Sequence, residues 1–322
     1  MVFHGGAKEG EENLLDFSYS VNPYRPPFLK RLLNTDLTVY PYCESLENKI
    51  KEKYGIDNDV LIGAGITELL YMASFAMRGK DAMFMVHTYG EYERMANLFG
   101  MKSFRVKDLD PPMESFSIKE GVIFFSNPNN PTGKYYSNIE DLFYKAERNN
   151  SIVVLDEAFI DFSERRPKFY PDNVIVLRSF TKSFGLPGIR AGYAFGERRI
   201  IDRMREFRMP WSLGGLGCKF IWYALRNDGY LKASLEKIWK ERRRIEYLTN
   251  LRTHANFFLA YSESGDVWKK LRERGVLVRD CSSFGLQGSI RFAIRKKKEN
   301  DILLKELSHF NLGLPKGIDY DS

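Results

Sequence analysis

A lysine framed by two hydroxyls and followed by an arginine is the part of this sequence most ready to do chemistry. The stretch is Ser179-Phe180-Thr181-Lys182, then Gly185-Leu186-Pro187-Gly188-Ile189-Arg190, and it follows the apolar run Val174 to Leu177. An amine there is either a solvated surface group or a Schiff-base nucleophile. The second use needs a carbonyl cofactor and a cup for its anion. The hydroxyls of Ser179 and Thr181 and the guanidinium of Arg190 would make that cup.

Three further features have the same setting. Gly63-Ala64-Gly65-Ile66-Thr67-Glu68 follows Leu61-Ile62. Its two glycines let the backbone approach a phosphate, and a helix N-terminus behind them favours an anion. A tight turn is the plain alternative, and Glu68 stands where a dinucleotide fingerprint needs its third glycine. Ser126-Asn127-Pro128-Asn129-Asn130-Pro131-Thr132-Gly133 follows the run Val122 to Phe125. A turn needs one Asn or one Pro, not this density of both. Asp156-Glu157 closes the run Ile152 to Leu155. An acid in that place is either a helix cap or the partner of a ligand cation.

The elements that must position these residues are short apolar runs separated by helical patterns. Ala82 to Val86, Val122 to Phe125, Ile152 to Leu155 and Val174 to Leu177 lack polar alternation. Such runs are strands buried on both faces, so the fold class is α/β: a mostly parallel sheet covered by helices. Ligands then belong at the carboxyl ends of the strands. Helices are predicted over 44–54, 67–76 with Thr67 as N-cap, 89–99 and 139–148. Past residue 196 helical patterns dominate as far as 251. A helix of about 21 residues there would span about 30 Å and connect a large unit to a small one. Arg242 interrupts its apolar face. The tail reads as a smaller α+β unit, with strands at 257–260 and 276–279 and helices at 266–274 and 297–310. Residues 289–295 alternate, with Ile290, Phe292 and Ile294 on one face and Arg291 and Arg295 on the other. The predicted organisation is an N-terminal arm (1–38), a large domain (39–230), and an interdomain helix with a small C-terminal domain (231–322).

Composition narrows the function classes. The chain has 322 residues, 43% hydrophobic and 28% charged, which suits a soluble globular protein rather than a disordered one. Cys43, Cys218 and Cys281 do not make a disulfide framework, and the histidines at 4, 87, 254 and 309 have no metal-ligand spacing, so no metal is expected. No run approaches the roughly 20 apolar residues of a membrane helix. The first residues lack the pattern of a signal peptide, so the cytoplasm is the expected compartment. The formal net charge of +7 leaves nucleic acid as a distant alternative, resting on Arg242-Arg243-Arg244 and Lys296-Lys297-Lys298. Both runs are short, lack interleaved aromatics and read better as solvated helix faces. Small anions, and no nucleic acid or membrane, are the expected partners.

A Gly-rich turn, an Asn-Pro turn, an Asp, a Ser-x-x-Lys and an Arg, in that order, resemble the fold-type I pyridoxal-phosphate enzymes of the class I/II aminotransferase superfamily. The branch most similar holds histidinol-phosphate aminotransferase and threonine-phosphate decarboxylase. The resemblance runs over nearly the whole chain. It includes His4-Gly5-Gly6, Leu15 to Ser18, Asn22-Pro23, Tyr40-Pro41, residues 127–133 and Leu155 to Phe162. It continues through Leu177 to Ser179 with Lys182, Pro187 to Tyr193, Met209 to Ser212, Arg279 and Arg291. The His-Gly-Gly, the run LDEAFIDF and Met-Pro-Trp-Ser look most like the decarboxylase.

The resemblance implies roles. Lys182 carries pyridoxal 5′-phosphate as a Schiff base, and Asp156 pairs with the pyridine nitrogen and keeps it protonated. Asn130 donates to the ring 3′ oxygen, and Tyr89 stacks on the ring. Gly65, Ile66, Thr67, Ser179, Thr181 and Arg190 hold the cofactor phosphate. Tyr40 reaches the phosphate of a neighbouring subunit, which implies a homodimer with shared active sites. Arg291 takes the substrate carboxylate with Asn130 beside it, while Arg279 and His4 take a substrate phosphate.

Four positions depart from the branch. Phe159 replaces a tyrosine usual in its aminotransferases. Ser20, Gly214 and Ala7 replace amide side chains of decarboxylase-like members. The expected activity is decarboxylation of L-threonine O-3-phosphate, a step toward cobalamin. A transaminase resembling histidinol-phosphate aminotransferase is the alternative.

Overall fold

The computed structural model describes residues 5–321. Its first strand, β1 (Leu15–Asp16), lies in the arm. Seven more make the main sheet: β2 (Asp59–Gly63), β3 (Ala82–Met85), β4 (Ser103–Val106), β5 (Val122–Ser126), β6 (Ile152–Asp156), β7 (Val174–Ser179) and β8 (Gly192–Gly196). Their order across the sheet is β2-β8-β7-β6-β5-β3-β4. Every pairing is parallel except the two made by β8, which runs antiparallel to both β2 and β7. The expected mostly parallel sheet under helices is therefore the fold.

The missing polar alternation has a direct cause. Ile123, Phe125, Val153, Leu155, Val174 and Val176 pack into a core on one face of the sheet. Their neighbours Val122, Phe124, Val154, Ile175 and Leu177 pack into a second core on the other. Successive side chains of a strand point to opposite faces, so a sheet covered on both sides is apolar at every position.

A third core gathers around β9 (Phe257–Tyr261), β10 (Val276–Leu277), β11 (Arg279–Asp280) and β12 (Ser289–Ala293). Strands β11, β12 and β9 form an antiparallel three-stranded sheet, while β10 pairs in parallel with β1. The expected strand over 276–279 is thus two strands in two sheets, with Val278 between them. That division ties the arm to the tail of the chain and places Arg279 opposite Arg291.

The long helix spans Asp228–Thr249, 22 residues. Arg242 does not reach solvent from it. It is buried, donates to the Phe162 carbonyl at 3.3 Å and pairs with Glu164. Its neighbours in the basic run are also partnered: Arg244 with Glu241 at 2.7 Å and Asp301 at 2.9 Å, and Arg243 with Glu164 at 3.5 Å. Lys297 of the other run pairs with Asp301 at 2.8 Å. Solvated helix faces therefore describe these runs only in part, because Arg242 serves a buried contact. The cysteine count also hid a pairing. Cys43 and Cys218 form a disulfide, with Cα atoms 5.7 Å apart, and Cys281 is free and buried.

Candidate active site

Three parallel strands end side by side and present the chemistry. Ser126 closes β5, Asp156 closes β6 in register with it, and β7 runs to Ser179 before the turn that carries Lys182. A cavity of about 1270 Å³ opens there. Asp156, Lys182, Ser179, Thr181 and Arg190 line it, as do Ile66, Thr67 and Tyr89 from the neighbouring strand ends. Asn130, Arg279 and Arg291 complete the set of predicted residues that meet in this one space.

The glycine turn reaches the cavity through Ile66 and Thr67, while Gly65 does not line it and instead backs closely onto Arg190. Gly65 caps the helix Ile66–Ala76 with φ +83°, and a Cβ there would stand 2.8 Å from Arg190 Nη2. The cap is thus Gly65 and not Thr67. Thr67 is inside the first turn, where its side chain hydrogen-bonds Tyr89. The first turn of that helix, whose N–H groups have no acceptor within the helix, lines the same cavity as the Arg190 guanidinium and the Ser179 and Thr181 hydroxyls, which are 2.7 Å apart.

The asparagines of the 126–133 loop divide their work. Asn127 donates to the Tyr136 carbonyl at 3.1 Å and accepts from its N–H at 2.9 Å. Asn129 donates to the His87 carbonyl at 3.0 Å and accepts from Thr88 at 2.8 Å. These two hold the loop, and Asn130 is left to face the cavity, where Arg291 donates to its side-chain oxygen.

The electrostatics are those of a buried charge cluster. Burial pushes the Asp156 carboxyl above its ordinary range, against the Ala158 N–H, the Tyr92 hydroxyl and the Lys182 charge, which pull it back. Burial first, then Arg291 and Arg190, lowers the Lys182 amine to about 8. Lys182 keeps some exposed surface, and that surface opens on the cavity. Burial also lowers Arg291 to about 10. Arg291 donates to the Ser18 carbonyl at 3.2 Å, yet its Nε has no partner, and neither has the buried Ser20 hydroxyl on the same cavity wall. Arg279 donates to Ser283 at 2.7 Å.

These residues fit pyridoxal phosphate. A buried carboxylate is stabilised by a cationic ring nitrogen. The lysine amine has a depressed pKa, as a nucleophile requires. A glycine turn with an arginine and two hydroxyls is ready for a phosphate, and two buried donors wait for a second anion.

Not every expected residue is in this cavity. Tyr40 is 69% exposed and packs at a tilt against Trp211, with ring centroids 4.4 Å apart, and does not line the cavity of its own chain. His4 lies outside the described residues. Phe159 lines the cavity, its ring 5.5 Å from the Lys182 nitrogen and packed edge-on against Phe257. Sequence reasoning missed Tyr92, whose hydroxyl donates to Asp156 at 2.8 Å, and Ser283 beside Arg279. Tyr92 had one usable signal, its spacing of three from Tyr89 in the helix predicted over 89–99, which in the structure begins at Glu91. Ser283 had none.

Comparison with known proteins agrees with this picture. Residues 21–307 match the family model of aminotransferase class I and II. A curated relative from Caldanaerobacter subterraneus subsp. tengcongensis, named "Putative threonine-phosphate decarboxylase", is 31% identical over 89% of this chain and 88% of its own. A histidinol-phosphate aminotransferase from Pyrococcus furiosus is 34% identical over 90% of each. The crystal structure of the histidinol-phosphate aminotransferase from Clostridium acetobutylicum superposes with a TM-score of 0.82 at 24% identity, covering 91% of this chain and 98% of that one.

Proposed function

The chain belongs to the aminotransferase class I and II family, and from that footing we propose that it acts on a phosphorylated amino acid, releasing CO2 from L-threonine O-3-phosphate. As a member it is a pyridoxal-phosphate enzyme, and the cofactor supplies an electron sink for the bond broken at the substrate Cα. Lys182 would hold the cofactor covalently and later hold or release a proton at its Nζ. Asp156 would face the ring nitrogen, Tyr89 the ring, and the Gly65 turn with Arg190 the phosphate.

The observation that carries the substrate reading is the placement of Arg279 and Arg291. They are paired across β11 and β12 and both face the cavity that holds Lys182. Two guanidiniums at one end suit a substrate with two anionic groups, a carboxylate on buried Arg291 and a phosphate on Arg279. Holding both ends would set which Cα bond stands across the ring plane, and so whether CO2 or a proton leaves.

The 34% identity to a histidinol-phosphate aminotransferase favours transamination as the second reading. Assaying CO2 from threonine phosphate beside glutamate from histidinol phosphate and 2-oxoglutarate separates the two. CO2 without glutamate supports decarboxylation, and glutamate alone defeats it.

A homodimer belongs to the same proposal. Leu33, Leu37, Val39, Tyr40, Met209 and Trp211 are all exposed, an apolar surface that a second copy would cover. Among the described residues no helix is long and apolar enough to cross a membrane.

A further inference from the structure

We propose that Tyr92 is a positioning residue that sets the Asp156 carboxylate and the Tyr89 ring together, and so tunes a bound cofactor it never touches. This rests on the reading of Asp156 as the partner of the ring nitrogen.

Tyr92 is fully buried in the helix Glu91–Leu98. Its hydroxyl donates to Asp156 Oδ2 at 2.8 Å, while the Ala158 N–H donates to Oδ1 at 2.9 Å. Each carboxylate oxygen is therefore held by one donor and keeps a lone pair for the cavity. The Ser126 hydroxyl, at the end of the neighbouring strand, donates to the Pro128 carbonyl at 3.0 Å and lies near enough to Tyr92 to pull its hydroxyl pKa down against the effect of burial. The Tyr92 ring stacks on Phe124, with centroids 5.8 Å apart, and meets Tyr89 edge-on at 5.7 Å and 88°. One side chain thus fixes the group beneath the ring nitrogen and the aromatic expected to lie on the ring face.

This second contact matters more in this chain than a tyrosine at 159 would allow. Phe159 offers no hydroxyl, so on the described residues the polar control of the ring falls to Asn130 and Asp156. A hydrogen bond from Tyr92 draws charge from the carboxylate. Without it Asp156 would be more basic and would hold a ring-nitrogen proton closer to itself, leaving a bound cofactor less positive and moving the pH midpoint of its visible absorption upward. The charged groups facing this pair are Lys182 and Glu157 about Asp156, and Arg291 and Arg190 about Lys182. Tyr92→Phe alters none of them.

The test uses the purified holoenzyme and its apo form. Y92F removes only the hydroxyl and keeps both ring contacts. We expect about tenfold weaker binding of pyridoxal phosphate, the size of one hydrogen bond to a charged group. We also expect an upward shift in the pH midpoint of the cofactor's visible absorption. Tyr136→Phe is the control, because among the described residues that buried hydroxyl has its hydrogen bond to the Met85 sulfur, at 4.0 Å, and it should move neither readout. Wild-type affinity and midpoint in Y92F would overturn the proposal. Should Y92F not fold, Ser126→Ala removes the polar neighbour that holds the Tyr92 hydroxyl pKa down: a smaller shift in the same direction supports the proposal and no shift overturns it. Asp156→Asn separates the two levels. If it too leaves both readouts unchanged, the reading of Asp156 fails; if it alone changes them, only the role of Tyr92 does.

Discussion

Arg279 and Arg291 stand directly opposite each other on the antiparallel pair β11–β12, and they are not equivalent. Arg291 is buried, with burial lowering it to about 10 and its Nε unpartnered. Arg279 is half-buried and rests on Ser283. An anion bound to the first gains a fully desolvated partner, while one bound to the second competes with water.

The two arginines should therefore separate in kinetics. Arg291→Ala should reduce kcat/KM for threonine phosphate by about 100-fold or more, since a buried charged hydrogen-bond pair is lost. Arg279→Ala should raise KM by about tenfold with less effect on kcat, and should erase the preference for threonine phosphate over threonine. Steady-state assays with both substrates decide this. Equal losses on both substrates in Arg279→Ala would remove the phosphate assignment.

Lys182 makes the apoenzyme sensitive to pH. Its amine falls from the ordinary 10.5 to about 8 because burial disfavours the charged form. Between those two values the unfolded chain binds the proton and the folded one does not, so stability rises with pH across the window, by about 3 kcal/mol. Below about 8 both states are protonated and the penalty is present in full. Urea unfolding of apoenzyme at pH 8 and pH 10 should show the gain, and Lys182→Met should abolish it. Uptake of pyridoxal phosphate should quicken as pH rises toward 8.

Phe159→Tyr adds a hydroxyl to a ring that lines the cavity 5.5 Å from the Lys182 nitrogen. The added donor should lower the pH midpoint of the cofactor's visible absorption by about one unit, or roughly 1.4 kcal/mol. A spectrophotometric titration measures it. A midpoint that stays in place would show that Asn130 and Asp156 already saturate the control.

Gly65→Ala should weaken the grip on the cofactor phosphate. The new methyl would meet Arg190 Nη2 at 2.8 Å, at a φ of +83° that L side chains avoid. We expect at least about tenfold weaker binding of pyridoxal phosphate with the far-UV circular dichroism unchanged. Equilibrium dialysis against the cofactor checks it.

Trp211→Glu should break the proposed dimer. Light scattering should give the wild type about twice the 37.5 kDa chain mass and the variant about once. If Tyr40 serves a neighbouring site, the monomeric variant also binds the cofactor more weakly. A wild type that runs as a monomer would remove both statements.

Local signals made much of the site legible. Each chemical residue of the large sheet lies within a few positions of a strand end, and a strand buried on two faces announces itself as an unbroken apolar run. Val174 to Leu177 thus pointed to Lys182, and Ile152 to Leu155 to Asp156. Boundaries were less legible. Thr67 has a capping side chain, but Gly65 alone tolerates the backbone that brings Arg190 close. Val276 to Arg279 reads as one strand because hydrophobicity says nothing about which neighbour a backbone will pair with.

By itself, then, the sequence determined the kind of fold and the order of chemical groups along it, while the cofactor came from its resemblance to a family. The first two depend on periods of two and 3.6 and on residues adjacent in the chain. The tertiary structure alone decided which distant groups meet. Tyr92 reaches Asp156, Arg291 reaches Asn130, and Arg242 turns from an apparent surface charge into a buried partner of Phe162 and Glu164. Tyr40 does not line the cavity of its own chain. Such contacts follow from sheet order and helix docking, where apolar burial drives assembly without direction. Only the assembled packing tells which polar atoms are left facing one another.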